Sequence, residues 1–137
     1  LETLKHYFAL ALKAIMSNNN AKKTTKEIGN AAEMAAAEYL QAKGYTVLVT
    51  NYRYRRGEID IIASKEDLLI FVEVKYRRST GFGEPENAVT PEKENLIQET
   101  AEHYVINTGY AGNIRFDIIA VECIMGRYGI THFEDAF

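Results

Sequence analysis

The chain has 137 residues, 47% of them hydrophobic and 26% charged, which suits a single globular domain with a real core. A formal net charge of −3 excludes a protein that coats nucleic acid through bulk positive charge. Cys123 is the only cysteine and the three histidines are scattered, so neither an internal disulfide nor a zinc cluster is expected, and a reducing, cytoplasmic setting fits.

In the opening "LETLKHYFALALKAIM", Leu4, Phe8, Ala11, Leu12 and Ile15 recur at helical spacing. That pattern predicts an amphipathic helix rather than the continuous apolar core of a signal peptide. Met16 reads as a native start, which makes residues 1–15 an extension or foreign sequence. With the polar "SNNNAKKTT", residues 1–25 form an N-terminal extension and residues 26–137 the domain proper. No apolar run reaches about 18 residues, so neither a transmembrane helix nor a membrane partner is expected.

From Lys26 to Lys43 the pattern is helical: Ile28, Ala32, Ala35, Ala36, Tyr39 and Leu40 share a stripe, and Gly44 supplies the stop. "YTVLVTNYRY" reads as a strand. "EIDIIAS" and "LLIFVEVKY" are two more, joined as a hairpin by a turn at Lys65–Asp67. Thr90 and Pro91 open a second helix, which runs to about Thr108 before Gly109. Leu96, Ile97, Ala101, Tyr104 and Val105 form its core face. "IRFDIIAVEC" is a fourth strand, and "GITHFEDAF" either a fifth or a tail. The order α-β-β-β-α-β predicts an α/β fold with a mixed central sheet flanked by helices.

Charges interrupt the central strands. Alternation sets Leu68, Ile70, Val72 and Val74 on one face, and Leu69, Phe71, Glu73 and Lys75 on the other. Glu58 and Asp60 share a face of the partner strand. A turn at 65–67 pairs positions summing to about 132, which sets Asp60 opposite Val72 and one step from Glu73. Two carboxylates meeting in a half-buried site repel unless a cation intervenes. Magnesium suits such a site, because it takes one or two carboxylates together with waters and a phosphate. Lys75 alongside would orient an attacking water and offset charge on phosphorus. Cross-strand Glu–Lys pairs on a solvated sheet are also common without any function, and spacing leaves both readings open.

Asp60, followed by Glu73-Val74-Lys75 on the next strand, resembles the PD-(D/E)XK nuclease superfamily. The blocks "GNAAEMAAAEYLQAKGY", "NYRYRRGEIDIIA", "FVEVKYRRSTGFGEPENAV" and "RFDIIAVE" are similar, in that order, to the YraN-type family. These are small bacterial predicted endonucleases, distantly similar to archaeal Holliday-junction resolvases. The resemblance runs from about Lys26 to the C-terminus and implies a restriction-endonuclease-like core. It implies Asp60 and Glu73 as ligands of Mg2+ (with Mn2+ as a substitute), the Val74 carbonyl as a further ligand and Lys75 as the catalytic lysine. Glu33 matches a first-helix glutamate that completes the metal site in related resolvases. It borders the apolar stripe, whereas Glu38 lies on the solvated side. Two positions depart from the pattern: Ala32 stands where the family often has glycine, and Ile59 where the superfamily has proline.

Around this core, Glu58 is either a further ligand or the partner of Arg55 or Arg56. Asp117 is expected to pair with an arginine or lysine from a neighbouring strand rather than with Arg115. His103 and His132 are assigned surface or packing roles. Strand periodicity favours Tyr52 and Tyr54 as core, with Arg53, Arg55 and Arg56 as phosphate contacts leading to Asp60. Arg77 and Arg78 are expected to flank the same cleft, and the loop Ser79–Val89 to touch substrate or a partner chain. The expected function is metal-dependent cleavage of nucleic acid, DNA before RNA and branched or distorted forms included, with a homodimer in view. The alternatives are a nucleic-acid-binding protein of the same fold that cuts little or nothing, and a partner-binding protein whose charges form an ion-pair network.

Overall fold

Thr24 caps the first helix of the computed structural model, which describes residues 24–79, 89–125 and 127–137. The Glu27 N–H donates to Thr24 Oγ1 at 3.2 Å, and the Thr24 N–H donates back to Glu27 Oε2 at 2.7 Å. This reciprocal box satisfies two of the orphan donors at the helix start. Helix α1 (Thr25–Ala42) buries Ala31, Ala32, Ala35, Ala36 and Leu40. Small side chains bring its backbone close to the sheet, with Leu40 as the large anchor. At Gly44 the chain turns with a φ of 94°, a conformation that favours glycine.

Five strands follow in simple spatial order: β1 (Thr46–Tyr54), β2 (Gly57–Lys65), β3 (Leu68–Ser79), β4 (Asn113–Ile124) and β5 (Arg127–Phe133). Neighbours pair antiparallel except β3 and β4, which run parallel. A parallel pair needs a crossover, and helix α2 (Pro91–Thr108) supplies it. The Lys93 N–H donates to the Thr90 hydroxyl at its start, Pro91 fills the first turn, and Gly109 at φ 67° closes it, as the sequence predicts. Of the segment left open as strand or tail, residues 129–133 belong to β5, paired antiparallel with β4, and residues 134–137 follow it as a tail.

The two helices cover opposite faces. On the α1 side, Ile61, Ala63, Ile70, Val72, Ile119 and Val121 pack beneath the helix alanines. On the α2 side, Ile59, Ile62, Leu69, Phe71 and Ile118 meet Ile97 and Ala101. This is the mixed α/β core expected from the order of elements. Within α2, Leu96 lies at the cleft described below instead of in the core, and Thr100 is buried in its stead. No helix among the described residues is long and apolar enough to cross a membrane. The expected N-terminal amphipathic helix, and residues 80–88 of the loop expected to touch substrate or a partner chain, fall outside the described residues.

Gly57 fixes how closely α2 approaches the sheet. A Cβ there would run into the Thr100 hydroxyl and come within 2.7 Å of the Leu96 carbonyl oxygen. A Gly57→Ala variant is therefore expected to lose about 2–3 kcal/mol of stability, read as a lower urea midpoint. An unchanged midpoint would show that α2 does not bear on Gly57.

Candidate active site

The hairpin of β2 and β3 closes at Glu66–Asp67 and zips through Lys65↔Leu68 to Ile61↔Val72. Beyond that pair the ladder ends, while β3 continues along β4 as far as Ser79. The sheet therefore forks at Asp60 and Glu73. The pairing sits one residue away from the expected register, so Asp60 falls level with Glu73 instead of Val72. Across the fork the Val74 N–H donates to Asp60 Oδ2 at 2.8 Å. Glu73 lies on the α2 side of β3 and is only 6% exposed.

A kink places Asp60 at this point. Ile59 packs with the α2-side core and Ile61 with the α1-side core, although residues two apart on a regular strand share a face. Across from Asp60 stands Asn51, whose φ of 54° lies in the left-handed region that asparagine tolerates better than most residues. The β1–β2 ladder lacks an Asn51↔Asp60 pair while holding Thr50↔Ile61 and Tyr52↔Ile59. Asn51 thus bends the strands where the carboxylate must leave the core, and its side chain donates a hydrogen bond to Glu33 of α1.

Arg56, Gly57, Glu58, Asp60, Glu73, Lys93, Leu96 and Ile97 line a cleft of about 220 Å³ at the fork. Lys93, in the first turn of α2, sets its ammonium on Glu73 Oε1. Burial raises the Asp60 carboxyl to about 7, assisted by the charges of Glu73, Glu33 and Glu58 and resisted by the Val74 hydrogen bond. Glu33 is also raised, first by burial and then by Glu58 and Glu73, with the Asn51 hydrogen bond opposing. The Lys93 ammonium is disfavoured by burial, but its bond to Glu73 and the surrounding acids outweigh this and raise its pKa. The cleft thus holds a raised Asp60 carboxyl beside Glu73, with Lys93 on Glu73 and Arg56 in its lining.

This charge pattern fixes a pH dependence. A carboxyl whose pKa is raised on folding binds a proton that the unfolded chain releases, so stability falls as pH climbs from the unfolded value towards about 7. In a metal-chelating buffer, the melting temperature is expected to rise as pH is lowered from 8 to about 5.5. A flat or opposite trend would mean that Asp60 is not held in this environment.

Each residue predicted from the sequence has a definite place. Asp60, Glu73 and Val74 meet at the fork. Lys75 is half-buried on the Glu73 face of β3, one alternation further along. Glu33 lies within electrostatic reach of Asp60, Glu58 and Glu73, but its carboxylate is tied to Asn51. Among the described residues no three carboxylate, imidazole or thiol groups stand together as a ready-made metal cage, so the expected Asp60–Glu73–Glu33 ligand set is not assembled here. Asp60 and Glu73 remain as a carboxylate pair, which is the number of protein ligands that magnesium commonly takes. Burial and the neighbouring acids oppose the Asp60 charge, and a divalent ion between the two carboxylates would relieve that opposition.

The basic residues divide. Arg56 lines the cleft. Arg53 pairs instead with Glu58 at 3.5 Å, because the two-residue hairpin tip sets those positions opposite each other. This corrects the expected partners of Glu58, Arg55 and Arg56. Arg55 reaches Glu99 at 3.4 Å and lies over the Tyr54 ring. Alternation keeps Arg77 on the Glu73 face and turns Arg78 to the other side with Tyr76 and Tyr128, so the pair does not flank one cleft.

The tyrosines and histidines serve packing. Tyr52 hydrogen-bonds His103 Nδ1 at 2.7 Å, and Tyr54 stacks on the same ring with centroids 3.8 Å apart. His132 meets the fully buried Asp117 at 2.8 Å. Asp117 takes Arg115 as its partner after all. Two residues apart on one strand face, the guanidinium reaches both carboxylate oxygens at 2.7 Å, a fork geometry that sequence spacing alone does not reveal.

Lys93 and Asn51 were not singled out from the sequence. Each carried a signal: a lysine in the first turn of a helix opposes the helix dipole, and an asparagine within a strand marks a backbone irregularity.

The sequence is similar to a known protein family over most of its length. The model of the uncharacterised protein family UPF0102 matches residues 32–121. A UPF0102 protein of Flavobacterium psychrophilum is 46% identical over 81% of this chain and 93% of its own length. Relatives of the same description from Alkaliphilus oremlandii and Chlorobium phaeobacteroides are 44% and 43% identical, over 82% and 80% of this chain and 98% and 92% of their own lengths.

Proposed function

The chain belongs to the uncharacterised protein family UPF0102, and on that footing we propose that it is a metal-dependent nuclease hydrolysing phosphodiester bonds of DNA, branched or distorted forms included. The single observation that carries the reading is the fork. Two carboxylates, Asp60 and Glu73, face each other where β2 leaves β3, with a lysine one alternation along.

In this proposal Asp60 and Glu73 hold Mg2+ or Mn2+, Asp60 oriented by the Val74 N–H, while Glu33 acts from behind Asn51. The bound ion supplies Lewis acidity towards a phosphoryl oxygen and lowers the pKa of water. Lys75 orients the attacking water and offsets the charge that builds on phosphorus. Arg56 meets a flanking phosphate at the mouth, and Arg77 meets another along β3. A homodimer belongs to the proposal, since symmetrical cutting of a branched DNA requires two copies of one centre.

A second reading has its own support. Lys93 already compensates Glu73, which suits a nucleic-acid-binding protein that retains the cleft and cuts little. Labelled single-stranded, duplex, flap and four-way DNA, incubated with the protein with and without Mg2+ or Mn2+, separate the two. Metal-dependent cleavage that disappears in Lys75→Ala supports the nuclease. Cleavage that survives that substitution would be a contaminant's, and binding without cutting would favour the second reading.

A further inference from the structure

Lys93 stands where helix physics does not want a cation. It is the third residue of α2, beside Glu92 and Glu94, whose sign suits the positive end of the helix dipole. Its side chain is 51% exposed, yet it bends into the cleft to the nearly buried Glu73. Ordering a long side chain against the dipole costs free energy, and the charge of Glu73 is the partner that offsets it. The backbone fixes the origin of that reach: the Lys93 N–H is held by the Thr90 hydroxyl at 3.3 Å, and Pro91 sets the first turn.

The Lys93 ammonium also feels the charges of Asp60 and Glu58, in a cleft that Arg56 lines as well. Lys93 also occupies an oxygen of Glu73, and an ion shared between Asp60 and Glu73 draws on that same carboxylate. An ammonium on a flexible four-carbon stem is well suited to moving a short way, unlike a planar guanidinium locked in a fork.

We propose that Lys93 is a displaceable counter-cation: it holds Glu73 while no divalent ion is bound, and is released to the phosphate of a bound nucleic acid once the ion takes Glu73. The inference rests on the metal-dependent reading above. It adds a linkage that the reading lacks, because metal entry at Glu73 creates a phosphate contact and the two ligands then favour each other's binding.

Binding of Mn2+ to the native chain and to Lys93→Met, without nucleic acid, tests the first half through the signal of free Mn2+ in electron paramagnetic resonance. Both chains are first compared by thermal melting, and Lys93→Gln replaces the methionine variant if that one melts early. Removing the competing ammonium is expected to tighten Mn2+ binding about tenfold. Equal or weaker binding by the variant overturns the exchange and leaves the metal-dependent reading standing. No Mn2+ binding by either chain defeats both. The second half is read by fluorescence anisotropy of a labelled duplex in Ca2+ against a chelator. The native chain is expected to gain at least about fivefold more affinity from Ca2+ than the variant does. An equal gain overturns the phosphate contact.

Discussion

Asp60→Asn is expected to lower metal-dependent cleavage about a thousand-fold while raising the melting temperature of the metal-free chain. The two effects have one cause. The amide oxygen still accepts the Val74 N–H, so the fork keeps its shape. The charge that would hold a divalent ion is gone, and Lewis-acid assistance of several kcal/mol goes with it. The same charge is the one that burial and Glu73 oppose in the metal-free fold, so its removal relieves repulsion. Loss of activity through unfolding would lower the melting temperature instead. Native cleavage rates in Asp60→Asn would remove Asp60 from the chemistry. A melting temperature below native would mean that the Asp60 charge stabilises the metal-free fold.

The largest expected loss of stability lies on β4, the strand next to the cleft-lining β3. Asp117→Ala should cost about 3–5 kcal/mol, seen as a large fall in the denaturant midpoint. Asp117 is fully buried and accepts from the Arg115 fork, from His132 and from the Asp135 N–H at 3.1 Å. Among the described residues, alanine leaves the Arg115 guanidinium with Tyr45 at 3.1 Å and Glu134 at 3.7 Å. Burial alone would raise the Asp117 carboxyl, but the hydrogen bonds from Arg115, His132 and Asp135 win and lower it to about 2. A lowered carboxyl stabilises the fold above its unfolded value, and that contribution disappears as pH falls from about 4 to about 2. Asp60 and Asp117 therefore oppose each other in sign, and their two contributions together are most favourable near about pH 4 in the metal-free protein. A loss below about 1 kcal/mol in Asp117→Ala would mean that the network is ornamental.

Both sites bear on what the sequence reveals. Period two along "LLIFVEVKY" sets Glu73 and Lys75 on one face, and turn residues locate the hairpin to within one register step. Capping and stop signals at Thr90, Pro91, Gly44 and Gly109 marked the ends of both helices because those signals are local. The kink at Asn51 and Asp60 was hidden, since a single left-handed residue leaves no periodic trace. Lys93 was hidden for another reason. It meets Glu73 only where the crossover helix folds back onto the sheet, and no spacing rule spans that distance. The arginines of "NYRYRR" looked equivalent in sequence, yet the two-residue tip at Arg55–Arg56 decides which one meets Glu58 and which one faces the cleft.

Chemistry at the fork requires that two carboxylates, from strands that have just parted, share one ion. Anomalous scattering from crystals soaked in Mn2+ tests this directly. The account predicts a single strong peak between Asp60 and Glu73, within coordination distance of an oxygen from each, with Lys93 withdrawn from Glu73. A peak elsewhere with Lys93 still on Glu73, or no peak at a concentration that supports cleavage, would contradict it.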